Sequence, residues 1–558
     1  MGRSDNKSLW LFILIIYTVA ALMVPNVWLD ISEINISVIG KVLNIILPLS
    51  FYFVLVLMFR KQGWGLLCLF PFMLFAAFQI VLLFLYGESL IAVDMFLNVV
   101  TTDFAEATTL LGNLYPSIIL VCVLYLPGLI GGVVALSKHK VLAHYPRLLL
   151  LWWSGVIFVL SGVLLLILAL SRTVVPGDDI FPVNVINNCC LAVKRDRLAR
   201  QYPESASEFT YHAEPGDSTR RIITIVIGET ARPDQWQLFD AERGTNPRLS
   251  QREGIYAFKR AITQSNTTHK SVPLLLTPLT AETFGELNGY KSLITAFKEA
   301  GYQTTWISNQ PPNGAYNEHM GFEADTTLFF KYAPDVQLAA ELEKVLAQRD
   351  TTRSQLIVMH TYGAHFPYHE RYEDIMNPVF TPDKPMTAKK SNREALINAY
   401  DNATIATDIA LDSIIGVIDR FNNNAFLIYA ADHGEDIFDD YRSKFLHASP
   451  APTYYQLRVP MFVWIDNNYS SNDTLGQALT AKQFMPLSPS ETLFHTALDA
   501  ANIKTPYFVP EKSLFSENFS PGPLMYLTDR NIAVPLAKSG VREVDRQDFE
   551  RIGVDIDK

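Results

Sequence analysis

Residues 427–436 read LIYAADHGED. An apolar run stops at Ala431 and gives way at once to Asp432, His433, Gly434, Glu435 and Asp436. A short continuous apolar run closed by a glycine-containing turn signal is the pattern of a strand buried on both faces. The runs IITIVIG (222–228), TTWIS (304–308), QLIVMHT (355–361), AFLIYAA (425–431) and VPMFVWI (459–465) repeat it. Helical patterns separate them, among them GYKSLITAFKEAGY (289–302) and REALINAYDNATIATDIALDSIIGVIDRF (393–421). This alternation predicts an α/β domain over residues 221–558, with a mostly parallel sheet and helices on both faces.

Sheets of this kind carry their chemistry at the carboxyl ends of the strands. Three of those ends are polar. The first stops in Gly228, Glu229 and Thr230; the third reaches His360 and continues to His365; the fourth stops in Asp432 and His433. One such acidic residue would be no more than a helix cap. Glu, Asp and His converging from several strands are the oxygen and nitrogen ligands that a zinc ion accepts. Between the first two strands lies QSNTTHKSVPLLLTPLT (264–280). Thr267, Thr268 and Ser271 there open a predicted helix with Pro273 in its first turn. A hydroxyl at a helix N-terminus sits where negative charge and phosphate oxygens are stabilised, and a nearby zinc ion would activate it.

The chain of 558 residues with a net charge of −10 is too long for one core and too acidic for a nucleic-acid binder that works through a basic surface. Its first third differs from the rest. Five apolar stretches, Leu9–Trp28, Val42–Phe59, Leu66–Tyr86, Tyr115–Leu136 and Leu148–Leu170, approach the ~20 residues a helix needs to cross a bilayer. Residues 1–171 thus form a predicted transmembrane domain. Arg3, Lys7, Arg60, Lys61, Lys138, Lys140 and Arg147 all fall on one side of it, which the positive-inside rule makes cytoplasmic. The N-terminus is then cytoplasmic and everything after Ser171 is exported. The loop 87–114 is polar, and Asn98, Thr102 and Glu106 in it are spaced to share one helical face. Residues 172–220, rich in proline, read as a linker with a possible interfacial helix in LAVKRDRLARQY (191–202). Of four cysteines, Cys68 and Cys122 lie in apolar runs and Cys189 and Cys190 are adjacent, so no disulfide framework is expected.

Together, GET (228–230), the Thr/Ser–Val–Pro stretch, HTYGAHFPY (360–368), AYDNATIATD (399–408) and DHGED (432–436), set on five spans and an exported domain, resemble the phosphoethanolamine transferases. These are bacterial inner-membrane enzymes of the alkaline phosphatase and sulfatase superfamily, and the likeness covers nearly the whole chain. It implies an alkaline-phosphatase-like αβα sandwich and one tight zinc site, with a second metal left open. It implies Glu229, Thr268, Asp432 and His433 as metal ligands, with Thr268 also the nucleophile and Thr267 its adjacent rival. His365 and His447 would contact the phosphate or transfer protons. Asn98, Thr102, Glu106 and Asn309 would help bind substrate. VPLLL replaces the Pro-Cys pair of the disulfide-rich lipid A branch, and a lysine found after the equivalent of WISN (306–309) has no counterpart.

The implied reaction moves phosphoethanolamine from phosphatidylethanolamine to lipid A, lipopolysaccharide core or a periplasmic glycan, through a phosphothreonine-type intermediate. The enzyme is expected to be a multi-pass inner-membrane monomer in contact with membrane lipid and with no nucleic-acid partner. Phosphoglycerol transfer of the lipoteichoic-acid-synthase type and a non-catalytic glycan-binding role are the alternatives. The nucleophile segment lacks the C/S-x-P-x-R pattern that a formylglycine sulfatase requires.

Overall fold

The computed structural model describes residues 5–32, 37–86, 92–101, 114–312, 315–385, 387–421, 424–466, 469 and 472–557. Two compact units emerge: residues 1–193 with 442–444, and residues 194–441 with 445–558.

Among the described residues, the first unit holds four helices long and apolar enough to cross a membrane: Leu9–Leu29, Val38–Met58, Tyr115–Ser137 and His144–Leu170. The expected span at Leu66–Tyr86 is instead a pair, Gln62–Cys68 and Phe70–Leu83, bent by 41°. Pro71 lies at the start of the second helix, where its ring and missing N–H interrupt the helical ladder, so the bend falls there. Counting that pair as one span gives five. Small residues allow close approach between these helices. A Cβ on Gly65 would sit 2.6 Å from the Val56 backbone. Asn26 donates to the carbonyls of Asn44 and Phe181, and Asn44 accepts from the Phe181 N–H, which satisfies polar groups that an apolar surrounding would penalise. A further helix, Val93–Thr101, includes Asn98 in its backbone. The Asn98 side chain, Thr102 and Glu106 lie outside the described residues.

The second unit is built on a seven-stranded sheet. In chain order its strands are β1 (Ile222–Gly228), β2 (Ile255–Ala257), β3 (Gln303–Ser308), β4 (Thr326–Phe329), β5 (Gln355–His360), β6 (Ala425–Ala431) and β7 (Met461–Ile465). The spatial order is β2-β7-β6-β1-β5-β3-β4. From β6 to β4 the neighbours are parallel. β7 runs antiparallel to β6, and β2 antiparallel to β7. The sheet is therefore mixed, with a parallel centre. β2 (IYA) and β4 (TTLF) are short, and runs of this length do not reach the strand pattern, which is why the sequence reading passes over them.

Helices α1 (Thr268–Leu276), α2 (Leu293–Glu299), α3 (Val336–Ala347), α4 (Arg393–Phe421) and α5 (Pro489–Ala500) flank the sheet. α3 packs on α4, and α1 packs on α5. Every residue of β1, β5 and β6 is buried, so these strands read as unbroken apolar runs rather than alternating ones.

The register decides where the chemistry goes. Ile227 pairs with His360 across β1 and β5, and Gly228 pairs with Ala431 across β1 and β6. The ladder continues one step further, with Asp432 N–H donating to Gly228 O at 3.0 Å and Thr361 N–H to Ile227 O at 3.0 Å. Glu229, Thr361 and Asp432 therefore leave the sheet side by side at one edge.

Candidate metal centre

Glu229, Asp432 and His433 each offer a ligand atom within 4.8 Å of the others, and all three are buried. His433 Nε2 lies 3.3 Å from Asp432 Oδ2 and 3.5 Å from Glu229 Oε1. The other imidazole nitrogen, Nδ1, sits 2.9 Å from Gly434 O, so it carries the proton and leaves the Nε2 lone pair facing the carboxylates. Asp432 is fixed through Oδ1, which accepts from the N–H of His433 at 2.7 Å and of Thr230 at 3.3 Å. Its Oδ2 is buried without a hydrogen-bond partner among the described residues.

The electrostatics are uneven. Burial pushes the Glu229 carboxyl up, but the imidazoles of His360, His433 and His365 hold it below the usual carboxylate range. Burial and then the Glu229 charge push Asp432 far above that range. The two carboxylates thus share a pocket that, without a cation, holds a proton.

Thr268 completes the cluster. It is the first residue of α1, and its Oγ1 lies 3.3 Å from each Glu229 oxygen and 3.2 Å from His433 Nε2. Thr267, the N-cap, is buried and its hydroxyl lies 3.3 Å from Ser265 Oγ. Its backbone is extended, at φ −144° and ψ 136°. Only Thr268 of the two presents its hydroxyl to the carboxylates.

Two more imidazoles stand beside this group. The His447 ring centre is 4.2 Å from that of His433, and the His365 ring centre is 6.1 Å from that of His447. His447 follows the second strand of a small antiparallel hairpin, Asp436–Ile437 with Phe445–Leu446, that grows directly out of the DHGE turn. Burial and the neighbouring His433 push its imidazole far below the ordinary histidine value, so it is neutral at neutral pH.

Asn309 belongs elsewhere. Its amide is buried against Ala333 and Asp335, not against the carboxylates. Its neighbour Gln310 takes that place, with Nε2 2.8 Å from Glu229 Oε2, 3.1 Å from His360 Nε2 and 3.1 Å from Thr361 O. Sequence reasoning passes over Gln310 because a neutral amide in a proline-rich turn carries no ligand signature. The AYDNATIATD segment also acquires a role. Tyr400 OH donates to Thr230 O at 2.8 Å and accepts from Arg232 N–H at 2.9 Å, which fixes the turn after Glu229.

Gly363 shows how tightly that turn is enclosed. Its φ is +54°, and a Cβ there would stand 2.4 Å from the Glu229 carbonyl oxygen. Gly363→Ala is expected to cost about 1–3 kcal/mol, from backbone strain and displacement of the Glu229 loop. Thermal unfolding of the variant beside the wild type measures this, and an unchanged midpoint would contradict the close approach.

A sulfatase family model matches residues 221–503, half of the chain. The chain is 30% identical over 291 residues to the Kdo(2)-lipid A phosphoethanolamine 7''-transferase of Escherichia coli K12, covering 49% of each protein. It is 28% identical over 308 residues to phosphoethanolamine transferase EptA of Salmonella typhimurium, covering 52% of this chain and 54% of that one. The chain spans about half the length of the curated relatives it matches. Among solved structures, the integral membrane protein lipooligosaccharide phosphoethanolamine transferase A (EptA) from Neisseria meningitidis superposes with a TM-score of 0.68 over 90% of this chain and 97% of its own, at 19% identity. The periplasmic domain of EcEptC from Escherichia coli in complex with zinc superposes at 0.51 over 59% of this chain and 96% of its own, at 22% identity. At these identities the superpositions speak to the fold alone: apolar N-terminal helices followed by an α/β domain built on a mixed sheet. With the family match spanning the sheet and all the clustered ligands, the chain belongs to the sulfatase family.

Proposed function

We propose that this protein transfers phosphoethanolamine from phosphatidylethanolamine to a lipid A, lipopolysaccharide or periplasmic glycan acceptor, with Thr268 as the nucleophile. The observation that carries the reading is the hydroxyl of Thr268, poised between Glu229 and His433 at a helix N-terminus. The names of the relatives, which are phosphoethanolamine transferases, support it.

The cluster fits a zinc ion. Its donors are one imidazole nitrogen, two carboxylates and a hydroxyl, and Asp432 Oδ2 is a buried acceptor without a donor among the described residues. Glu229, Asp432, His433 and Thr268 would hold the ion. When bound, it supplies Lewis-acid charge that lowers the hydroxyl pKa and offsets the phosphate oxygens. The chain does the rest. Thr268 Oγ1 attacks the phosphorus, the bond to the diacylglycerol oxygen breaks, and phosphoethanolamine remains on Thr268. His447, neutral through burial, accepts a proton and returns it to the leaving oxygen, with His365 on the phosphate side. Attack by an acceptor hydroxyl or phosphate then regenerates the threonine. The N-terminal helices would tether the catalytic domain to the membrane that holds the donor, with the N-terminus cytoplasmic, the catalytic domain periplasmic and the protein acting as a monomer.

The test is mass spectrometry of the full-length protein after incubation with phosphatidylethanolamine vesicles. A phosphoethanolamine group on the peptide that carries Thr268 is the expected result. A phosphoglycerol adduct from phosphatidylglycerol vesicles alone would overturn the donor. No adduct, together with unchanged envelope glycolipids in cells lacking the protein, would overturn the transfer reading.

A further inference from the structure

We infer that the buried pair Asn309–Asp335 is a positioning device that holds the loop of residues 361–365, and with it His365, against the reacting centre. The inference rests on the proposed role of His365 at the phosphate, and it gives Asn309 a function other than lining the site.

Asn309 follows β3 and is fully buried. Its Nδ2 donates to Asp335 Oδ1 at 2.7 Å and to Ala333 O at 2.5 Å, and its Oδ1 accepts the Ala333 N–H at 2.9 Å. Every hydrogen-bonding direction of that amide is turned toward the segment ahead of α3. Asp335, which precedes α3, then reaches into a third part of the chain. Its Oδ1 accepts the N–H of Tyr362 at 3.0 Å and its Oδ2 the N–H of Gly363 at 2.8 Å. Two backbone donors of one loop converge on one buried carboxylate. Such charge-assisted bonds are stronger and more directional than neutral ones.

The loop held in this way has two contacts with the centre. Gly363 and Ala364 press on the turn that carries Glu229, with Ala364 N–H 3.3 Å from Glu229 O. Tyr362 stacks on His365, with ring centres 4.9 Å apart and planes 20° from parallel. Tyr362 is itself braced by Tyr332 at 4.6 Å between ring centres and by the Arg371 guanidinium at 4.3 Å. His365 Nδ1 lies 2.8 Å from Phe366 O, which makes it the protonated nitrogen. A carboxylate whose hydrogen bonds go to Asn309, Tyr362 and Gly363 thus sets the plane of an imidazole through the backbone of the residue that stacks on it.

The test compares Asp335→Asn, Asn309→Ala, His365→Ala and the double variant Asp335→Asn/His365→Ala in the full-length, zinc-loaded protein. Asparagine at 335 keeps one acceptor but turns an amide N–H₂ toward a backbone donor. Hydrogen exchange of a peptide spanning 361–365 should quicken about 10- to 100-fold in Asp335→Asn, while the β5 peptide is unchanged. The transfer kcat should fall roughly 10-fold, with KM little altered, because the loss is one of orientation. In the His365→Ala background the same substitution should cost far less than its roughly 10-fold in the wild type, since the share that passes through the imidazole is already lost. Unchanged exchange in both Asp335→Asn and Asn309→Ala would overturn the clamp. Losses that multiply in the double variant would overturn its action through His365. A wild-type protein that transfers nothing would instead refute the proposed reaction, and the exchange result would still decide the clamp.

Discussion

Replacing Thr268 with alanine is expected to lower phosphoethanolamine transfer by on the order of 10⁴- to 10⁶-fold, the scale at which removal of a covalent nucleophile is felt. The case is geometric. Oγ1 lies within 3.3 Å of both Glu229 oxygens and 3.2 Å of His433 Nε2, at the first residue of a helix whose N–H dipoles favour an incoming phosphate. Alanine removes the hydroxyl but leaves Glu229, Asp432, His433, the helix and the fold in place, so binding of the donor should survive while chemistry does not. Thr268→Ser returns the hydroxyl on a less restrained side chain and should recover activity to within about 10-fold. Thr267→Ala is the control. Its hydroxyl faces Ser265 and caps no N–H of α1, so transfer should change only a few-fold and stability by less than about 1 kcal/mol. Steady-state transfer to a purified acceptor measures all three. A Thr268→Ala protein that keeps a tenth of the wild-type rate, or a Thr267→Ala protein that loses it, would move the nucleophile elsewhere.

The difference between these two threonines marks where sequence reading ends. The strands β1, β5 and β6 are legible because they are buried on both faces and spell continuous apolar runs. Polar residues at their ends stand out against that background, and the parallel register then carries Glu229 and Asp432 to one edge. β2 and β4 are short and half-exposed at the sheet margins, and runs of this length do not stand out as strands. The direction of β7 follows from its neighbour in space, not from its own residues, so a mixed sheet looks parallel from the sequence. Side-chain direction is harder still. Asn309 and Gln310 are adjacent at the end of β3, and the pleat sends one into the Asp335 pocket and the other to Glu229. The asparagine resembles a site residue in one dimension, and the glutamine acts as one in three.

Stripping zinc from the purified protein with a chelator is expected to abolish transfer and to lower the unfolding temperature of the catalytic domain by about 5 °C. At a free ion concentration of ~1,000 times Kd, binding stabilises the folded state by about 4 kcal/mol. A domain of roughly 360 residues unfolds with an entropy of about 0.75 kcal/mol/K, which converts that stabilisation into the stated shift. The physical source is the carboxylate pair. Burial and the Glu229 charge drive Asp432 toward its protonated form, and a divalent cation lets both groups ionise. Asp432→Asn separates this account from one in which the cluster is only a polar network. Asparagine keeps Oδ1, which accepts the His433 and Thr230 N–H groups, and replaces Oδ2, which lacks a hydrogen-bond partner among the described residues, with a donor facing its neighbours. The variant should lose transfer and its response to added zinc, yet unfold at or above the temperature of the chelated wild type, because a buried carboxyl beside another carboxylate is gone. An Asp432→Asn protein that melts well below the chelated wild type would mean that Asp432 serves the fold and not an ion. Added zinc that leaves the wild-type midpoint unmoved would mean the same of Glu229 and His433, since an ion held by all three must stabilise the state that holds it.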